Sequence, residues 1–179
     1  MKLKGEKERW EIVKNLIDEI GAAKIAEIGV KKGHTSLFLL ENCPKIKVYL
    51  LIDPVLSHNL YRKGAFLNST VFFTMKSEDA APLIQDGSLD LVFIDGNHSY
   101  KYVTMDIQMW LPKVRKGGIL CGHDYLQKNA TGNPKDAVEV TEAVDNMFGR
   151  ENIDYMTDIQ GIRDNRPCDK GRSVWIYRK

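Results

Sequence analysis

Two short stretches hold the residues best suited to chemistry. "FIDGNHSY" sets Asp95 three residues before His98, and "CGHDY" sets His123 beside Asp124. Two carboxylates brought close together repel one another unless a cation or a proton intervenes, so a convergence of Asp95 and Asp124 would make a metal site. Oxygen ligands favour Mg²⁺ or Ca²⁺, and recruiting His123 would admit Mn²⁺ or another transition ion. The plainer alternatives are a local hydrogen-bond network and a His123 that turns away from Asp124 to line a pocket. His98 has a near-neutral reference pKa, which suits a general base; a structural histidine is the alternative. A base alone would struggle with an aliphatic hydroxyl, whereas an ion holding that oxygen would lower its proton affinity.

A second set of residues suits ligand binding. In "AEIGVKKGHTS", Gly29 directly follows an apolar run and Gly33 precedes the next helix, so the backbone can turn and approach a ligand, with free N–H groups of a helix start facing an anion. A dinucleotide fingerprint would need a glycine where Lys31 stands, which disfavours a tightly apposed pyrophosphate and favours a smaller group carrying a carboxylate. Thr35 can add a hydroxyl contact, and a plain structural turn is the alternative. Asp53 ends the next apolar run, where an acid can accept hydrogen bonds from both ribose hydroxyls. Ser77 and Glu78 open a helix in "MKSEDA"; Ser77 is either its N-cap or the border of an adenine ring. Together these positions call for an adenosine bearing a small charged group. His34 and His58 read as surface residues.

Such residues need strand ends to hold them. "AKIAEIG", "KVYLLID", "TVFFTM", "SLDLVFID" and "GGILCGHDY" read as five strands alternating with helices, which indicates a mostly parallel sheet covered on both faces. "IDYMTDI" and "RSVWIYRK" follow without a helix between them, so the last strand is expected to run antiparallel. Helices are expected over residues 1–21, with Trp10, Val13, Ile17 and Ile20 on one face, over "TSLFLLEN", "HNLYRKGAFL" and "SEDAAPLI", and around Val103, Ile107 and Trp110. A last one carries Val140, Val144 and Met147. "LQKNATGNPKDA" reads as a surface loop that could border a substrate.

The chain has 179 residues and a formal charge of +2, which fits one domain over 1–179 and gives little reason to propose nucleic acid or an anionic membrane as the main partner. Cys43, Cys121 and Cys168 form no disulfide framework, and no stretch approaches a membrane span. A cytoplasmic protein is expected.

These residues resemble a class I S-adenosylmethionine-dependent methyltransferase, and among those the metal-dependent small-molecule O-methyltransferases of the catechol and macrolide-sugar types, over roughly residues 20 to 179. "AEIGVKKGHTS" is similar to the family's cofactor segment. The resemblance implies a doubly wound, Rossmann-like, seven-stranded mostly parallel sheet with an antiparallel last strand. By it, Glu27, Gly29, Gly33 and Thr35 surround the methionine part of S-adenosyl-L-methionine, Asp53 takes the ribose, Ser77 and Glu78 lie near adenine, and Asp95 borders cofactor and metal alike. "FIDGNHSY" resembles the segment that gives a metal aspartate and a base, hence Asp95 and His98, and "GGILCGHDY" falls where His123 and Asp124 would complete the Mg or Mn site. His123 departs from the family by standing where a carboxylate is usual. The implied partners are a small-molecule acceptor, such as a sugar or vicinal diol, and a second copy in a homodimer. A nicotinamide oxidoreductase and a non-catalytic cofactor-binding protein are the competing readings.

Overall fold

The computed structural model describes residues 2–58, 60, 69–125, 135–158 and 173–179. The helix expected over "HNLYRKGAFL" and the loop "LQKNATGNPKDA" fall largely outside the described residues, as does Cys168. In chain order the elements are β1 (Lys2–Lys7), α1 (Arg9–Ile20), β2 (Lys24–Ile28), α2 (His34–Asn42), β3 (Val48–Ile52), β4 (Thr70–Phe73) and the single turn α3 (Ser77–Ala80). They continue with β5 (Leu89–Ile94), α4 (Tyr100–Trp110), β6 (Val114–Tyr125), α5 (Lys135–Phe148), β7 (Asp154–Asp158) and β8 (Ser173–Arg178).

The seven expected strands form one sheet, and an eighth, β1, is added at its edge in the order β1-β7-β8-β6-β5-β2-β3-β4. All neighbouring pairs are parallel except those of β8, which runs antiparallel to both β6 and β7. The helix expected over residues 1–21 therefore occupies Arg9–Ile20 behind a strand. Its start is fixed by a reciprocal cap in which the Glu8 N–H donates to Glu11 Oε2 at 2.7 Å, and its end by Gly21 in the left-handed region at φ 61°.

Alternation along the strands divides the core in two. Ile25, Leu91 and Phe93 face α1 and α2, where Ile12, Val13, Leu16 and Ile17 pack. Ala26, Ile28, Val92 and Ile94 face the opposite way, toward Val103, Ile107 and Trp110 of α4 and Val140 and Val144 of α5. The central strands β2, β3 and β5 are thus buried on both faces, which is why their sequences are nearly continuous apolar runs. Trimming Ile107, which is 0% exposed, to alanine would cost about 2–5 kcal/mol.

Chain order decides where a ligand can sit. From β2 the chain moves through β3 to β4 on one side, then returns to β5 and β6 on the other. The crevice outside the carboxyl ends of β2 and β5 is therefore the switch point of the sheet, the usual ligand position in open α/β folds.

Candidate active site

A cavity of about 410 Å³ opens there, lined among others by Gly29, Asp53, Ser77, Glu78, Asp95 and Asp106. Five of these six were picked out from sequence. Gly29, at φ 85°, is dictated by crowding: a Cβ on it would lie 2.3 Å from the Asp95 carbonyl oxygen. The Asp95 N–H also donates to the Ile28 carbonyl at 2.7 Å, so the ends of β2 and β5 are held backbone to backbone. Only glycine permits that approach.

Asp53 is anchored by its own loops. Its Oδ2 accepts from the Lys31 N–H and its Oδ1 from the Val55 N–H, each at 2.8 Å. Lys31 itself has φ 53°, so a non-glycine residue takes the left-handed turn and aims its backbone at the carboxylate. Each carboxylate oxygen keeps a further lone pair for another donor. Gly33, at φ 75°, caps α2 and packs against Leu60, and Thr35 is buried; neither lines the cavity. Glu27 lies beneath it, where its Oε2 accepts from Ser36 Oγ at 2.6 Å and Tyr49 Oη at 2.5 Å. Burial pushes the Glu27 carboxyl up to about 7, against those two hydrogen bonds.

Ser77 is not the helix N-cap; Lys76 holds that position. The Ser77 hydroxyl instead donates to Asp106 Oδ1 at 2.5 Å and accepts from Trp110 Nε1 at 2.8 Å. Asp106 is 4% exposed, and that burial raises its carboxyl to about 6.

At the other end of the crevice Asp95, His98 and Asp124 bring one ligand atom each within 4.8 Å of one another. His98 Nε2 is 3.1 Å from Asp124 Oδ2 and 3.6 Å from Asp95 Oδ1, yet makes no well-aligned hydrogen bond among the described residues. The Asp95 carboxylate raises the His98 pKa, desolvation opposes it, and Asp124 adds to the rise. His123 Nδ1 is likewise buried without a well-aligned hydrogen bond among the described residues, 3.3 Å from Asp124 Oδ1 and 3.9 Å from Asp95 Oδ1. Its Nε2 lies 2.6 Å from Asp158 Oδ2 at the end of β7. Burial disfavours charge on this ring, but Asp124 and Asp158 together outweigh it and push its pKa up to about 10. The two imidazoles thus turn unpartnered nitrogens toward the two carboxylates. A carboxylate behind the far nitrogen of a histidine is the usual support of a metal-ligating imidazole, so the donor set fits a divalent ion.

Three participants carried no sequence expectation. Arg9, at the start of α1, places Nη1 3.0 Å from Asp95 Oδ2. Asp106 interrupts the buried stripe of Val103, Ile107 and Trp110, and a lone acid in such a stripe is a signal that could have been used. Asp158 closes "IDYMTD", and nothing local distinguishes it from any acid at a strand end.

A model of the methyltransferase-domain family matches residues 26–125, the span from β2 to the end of β6. The chain is 23% identical over 163 residues to an uncharacterized protein of Acanthamoeba polyphaga mimivirus, covering 84% of this chain and 72% of that one. In fold it is similar to an O-methyltransferase from Bacillus cereus in complex with SAH, with TM-score 0.71, 13% identity, and 96% and 80% of the two chains covered. It is also similar to the O-methyltransferase TomG from Streptomyces achromogenes, involved in tomaymycin synthesis and solved in complex with SAM, with TM-score 0.68, 14% identity, and 96% and 79% covered.

Proposed function

The chain belongs to the methyltransferase-domain family, and from that premise we propose that it transfers a methyl group from S-adenosylmethionine to an oxygen of a small molecule with adjacent oxygens, such as a sugar or vicinal diol, at a divalent-metal site. The observation that carries this reading is the convergence of Asp95, His98 and Asp124 beside the strand-end cavity.

Asp53 receives the ribose, Gly29 and the Lys31 turn accommodate the methionine part, and Ser77 with Glu78 border the adenine. S-adenosylmethionine supplies an electrophilic methyl on sulfur. Asp95, Asp124 and His123 would hold the metal, with Asp158 fixing the His123 ring. A bound divalent ion supplies Lewis acidity, which lowers the proton affinity of a hydroxyl and stabilises its oxyanion. His98 accepts the acceptor's proton at Nε2, and the nearby Asp95 and Asp124 favour the imidazolium that results. The chain's larger contribution is orientation, since fixing nucleophile and methyl in line supplies several kcal/mol. A cytoplasmic location and a homodimer complete the reading, the first resting on thiols at Cys43 and Cys121 that are free and buried.

Calorimetry of S-adenosylmethionine binding, on protein stripped of ions and run with and without Mg²⁺ or Mn²⁺, tests this. Micromolar binding followed by methylation of a diol in an acceptor screen is the expected result. A folded protein that binds no S-adenosylmethionine in any arm overturns it.

A further inference from the structure

The network around Asp106 points outward to the cavity. Trp110 Nε1 has one proton and gives it to Ser77 Oγ; Ser77 has one hydroxyl proton and gives it to Asp106 Oδ1. Both donors are spent in one direction, so Asp106 is the terminal acceptor and its rotamer is fixed. Its second oxygen, Oδ2, makes no hydrogen bond among the described residues. That oxygen faces Gly96 and Ile28: a Cβ built on Gly96 would lie 3.7 Å from Asp106 Oδ2 and 3.7 Å from Ile28 Cγ2, and Gly96, Ile28 and Asp106 all line the cavity. A carboxylate buried to this degree rarely keeps an oxygen without a donor.

The cofactor offers few donors to meet it. Ribose hydroxyls go to Asp53, and the ammonium belongs with the methionine part near Gly29, which leaves the 6-amino group of the base. We infer that Asp106, through Oδ2, is the residue that reads this amino group and so selects adenine over a 6-oxopurine. The inference rests on the proposed use of the cavity for S-adenosylmethionine. A carboxylate accepts from an amino group and repels a carbonyl oxygen in the same place. Glu78 also lines the cavity, but its side chain is 35% exposed and stands 3.8 Å from Lys76 Nζ. Water and that ammonium can satisfy it, whereas Asp106 is 4% exposed and meets the outside through the cavity that the ligand would fill.

The test compares S-adenosylhomocysteine with S-inosylhomocysteine, in which a 6-oxo group replaces the 6-amino group and N1 carries a proton, by calorimetry. The wild-type protein needs no variant for its half of the answer: the inosyl compound is expected to bind about 10–100-fold more weakly, the range for a hydrogen bond to a charged group. Asp106→Asn should reverse or erase that preference. Its carbonyl can still accept from Ser77 while its amide offers N–H to the 6-oxo group. Glu78→Gln should leave the ratio unchanged, with near-ultraviolet circular dichroism checking that both variants fold. Equal affinities in the wild type, an unchanged ratio in folded Asp106→Asn, or a reversal produced by Glu78→Gln would each overturn the inference. Failure of the wild type to bind S-adenosylhomocysteine at all would instead remove the cofactor reading beneath it.

Discussion

The two ends of the crevice are built on opposite plans. At the β2–β3 end the polar groups are already engaged: both oxygens of Asp53 accept backbone N–H groups, Ser77 is locked to Asp106 and Trp110, and Glu27 is held by Ser36 and Tyr49. At the β5–β6–β7 end several are not. Arg9 Nε, His98 Nε2, His123 Nδ1 and Asp158 Oδ1 are all buried and, among the described residues, without a hydrogen-bond partner. A buried polar atom in that condition costs free energy of order 1–3 kcal/mol, so the second end carries more unmet polar atoms than the first, where Asp106 Oδ2 stands open to the cavity. On the proposed reading, the first end meets a ligand with most of its polar groups already fixed, and the second is completed by an ion or a reacting oxygen.

The most damaging way to probe this contrast is at His98. His98→Ala should lower methyl transfer about 10²–10⁴-fold, the usual contribution of a positioned base. Mn²⁺ affinity, followed by electron paramagnetic resonance, should stay within about threefold if the ring is a base and not a ligand. A parallel collapse of both would move His98 into the coordination sphere and leave the base to be found elsewhere.

Glu27 puts the finished end to the test. Its folded pKa, about 7, stands above its ordinary value of 4.5, so the native state binds the extra proton between those limits. Stability is therefore complete below about pH 4.5 and falls as pH rises through about 7, by up to ~3 kcal/mol. Urea melts across that range should show the decline in the wild type, and Glu27→Gln, which stays neutral, should remove Glu27's share of it and leave the part that Asp106 contributes.

A smaller effect is expected at Asp158. Asp158→Asn should weaken Mn²⁺ binding about 10–100-fold by loosening the His123 ring, while S-adenosylhomocysteine affinity measured without metal should hold. A loss of cofactor binding would show that the two ends are not separable. Lys31→Gly should change least, with less than about threefold effect on cofactor affinity, because the contact to Asp53 is made by the backbone and glycine adopts the same left-handed turn.

The sheet was readable because every strand buried on both faces leaves an uninterrupted apolar run, and because two such runs at the end lacked a helix between them. Asp53, Asp95 and His98 were readable for a related reason: each lies just past the end of such a run, where packing gives no cause for a charge. β1 was hidden, since "KLKGEK" alternates lysine with little that is apolar and its strand form depends on β7 as a template. Asp158 was hidden because its value lies in facing His123 across β8, a juxtaposition set by strand order and not by spacing. Ser77 reads from sequence as either a cap or a border of the adenine; the cap falls to Lys76, and the long-range bonds to Asp106 and Trp110 that hold Ser77 at the cavity have no local signal.

The pairing of β1 also has a bearing on the order in which the protein assembles. Lys2, Leu3 and Lys7 lie opposite Tyr155, Met156 and Asp158, so the earliest of these residues to leave the ribosome must wait for some of the latest. Such long loops close slowly, and β1 is expected to dock after the central strands. Arg9 follows it by two residues and reaches Asp95, while Lys7 sits across from the aspartate that supports His123. A nascent chain can thus have its central sheet formed and its crevice still missing Arg9 and Asp158, and that end of the crevice is completed only after β7 has been made.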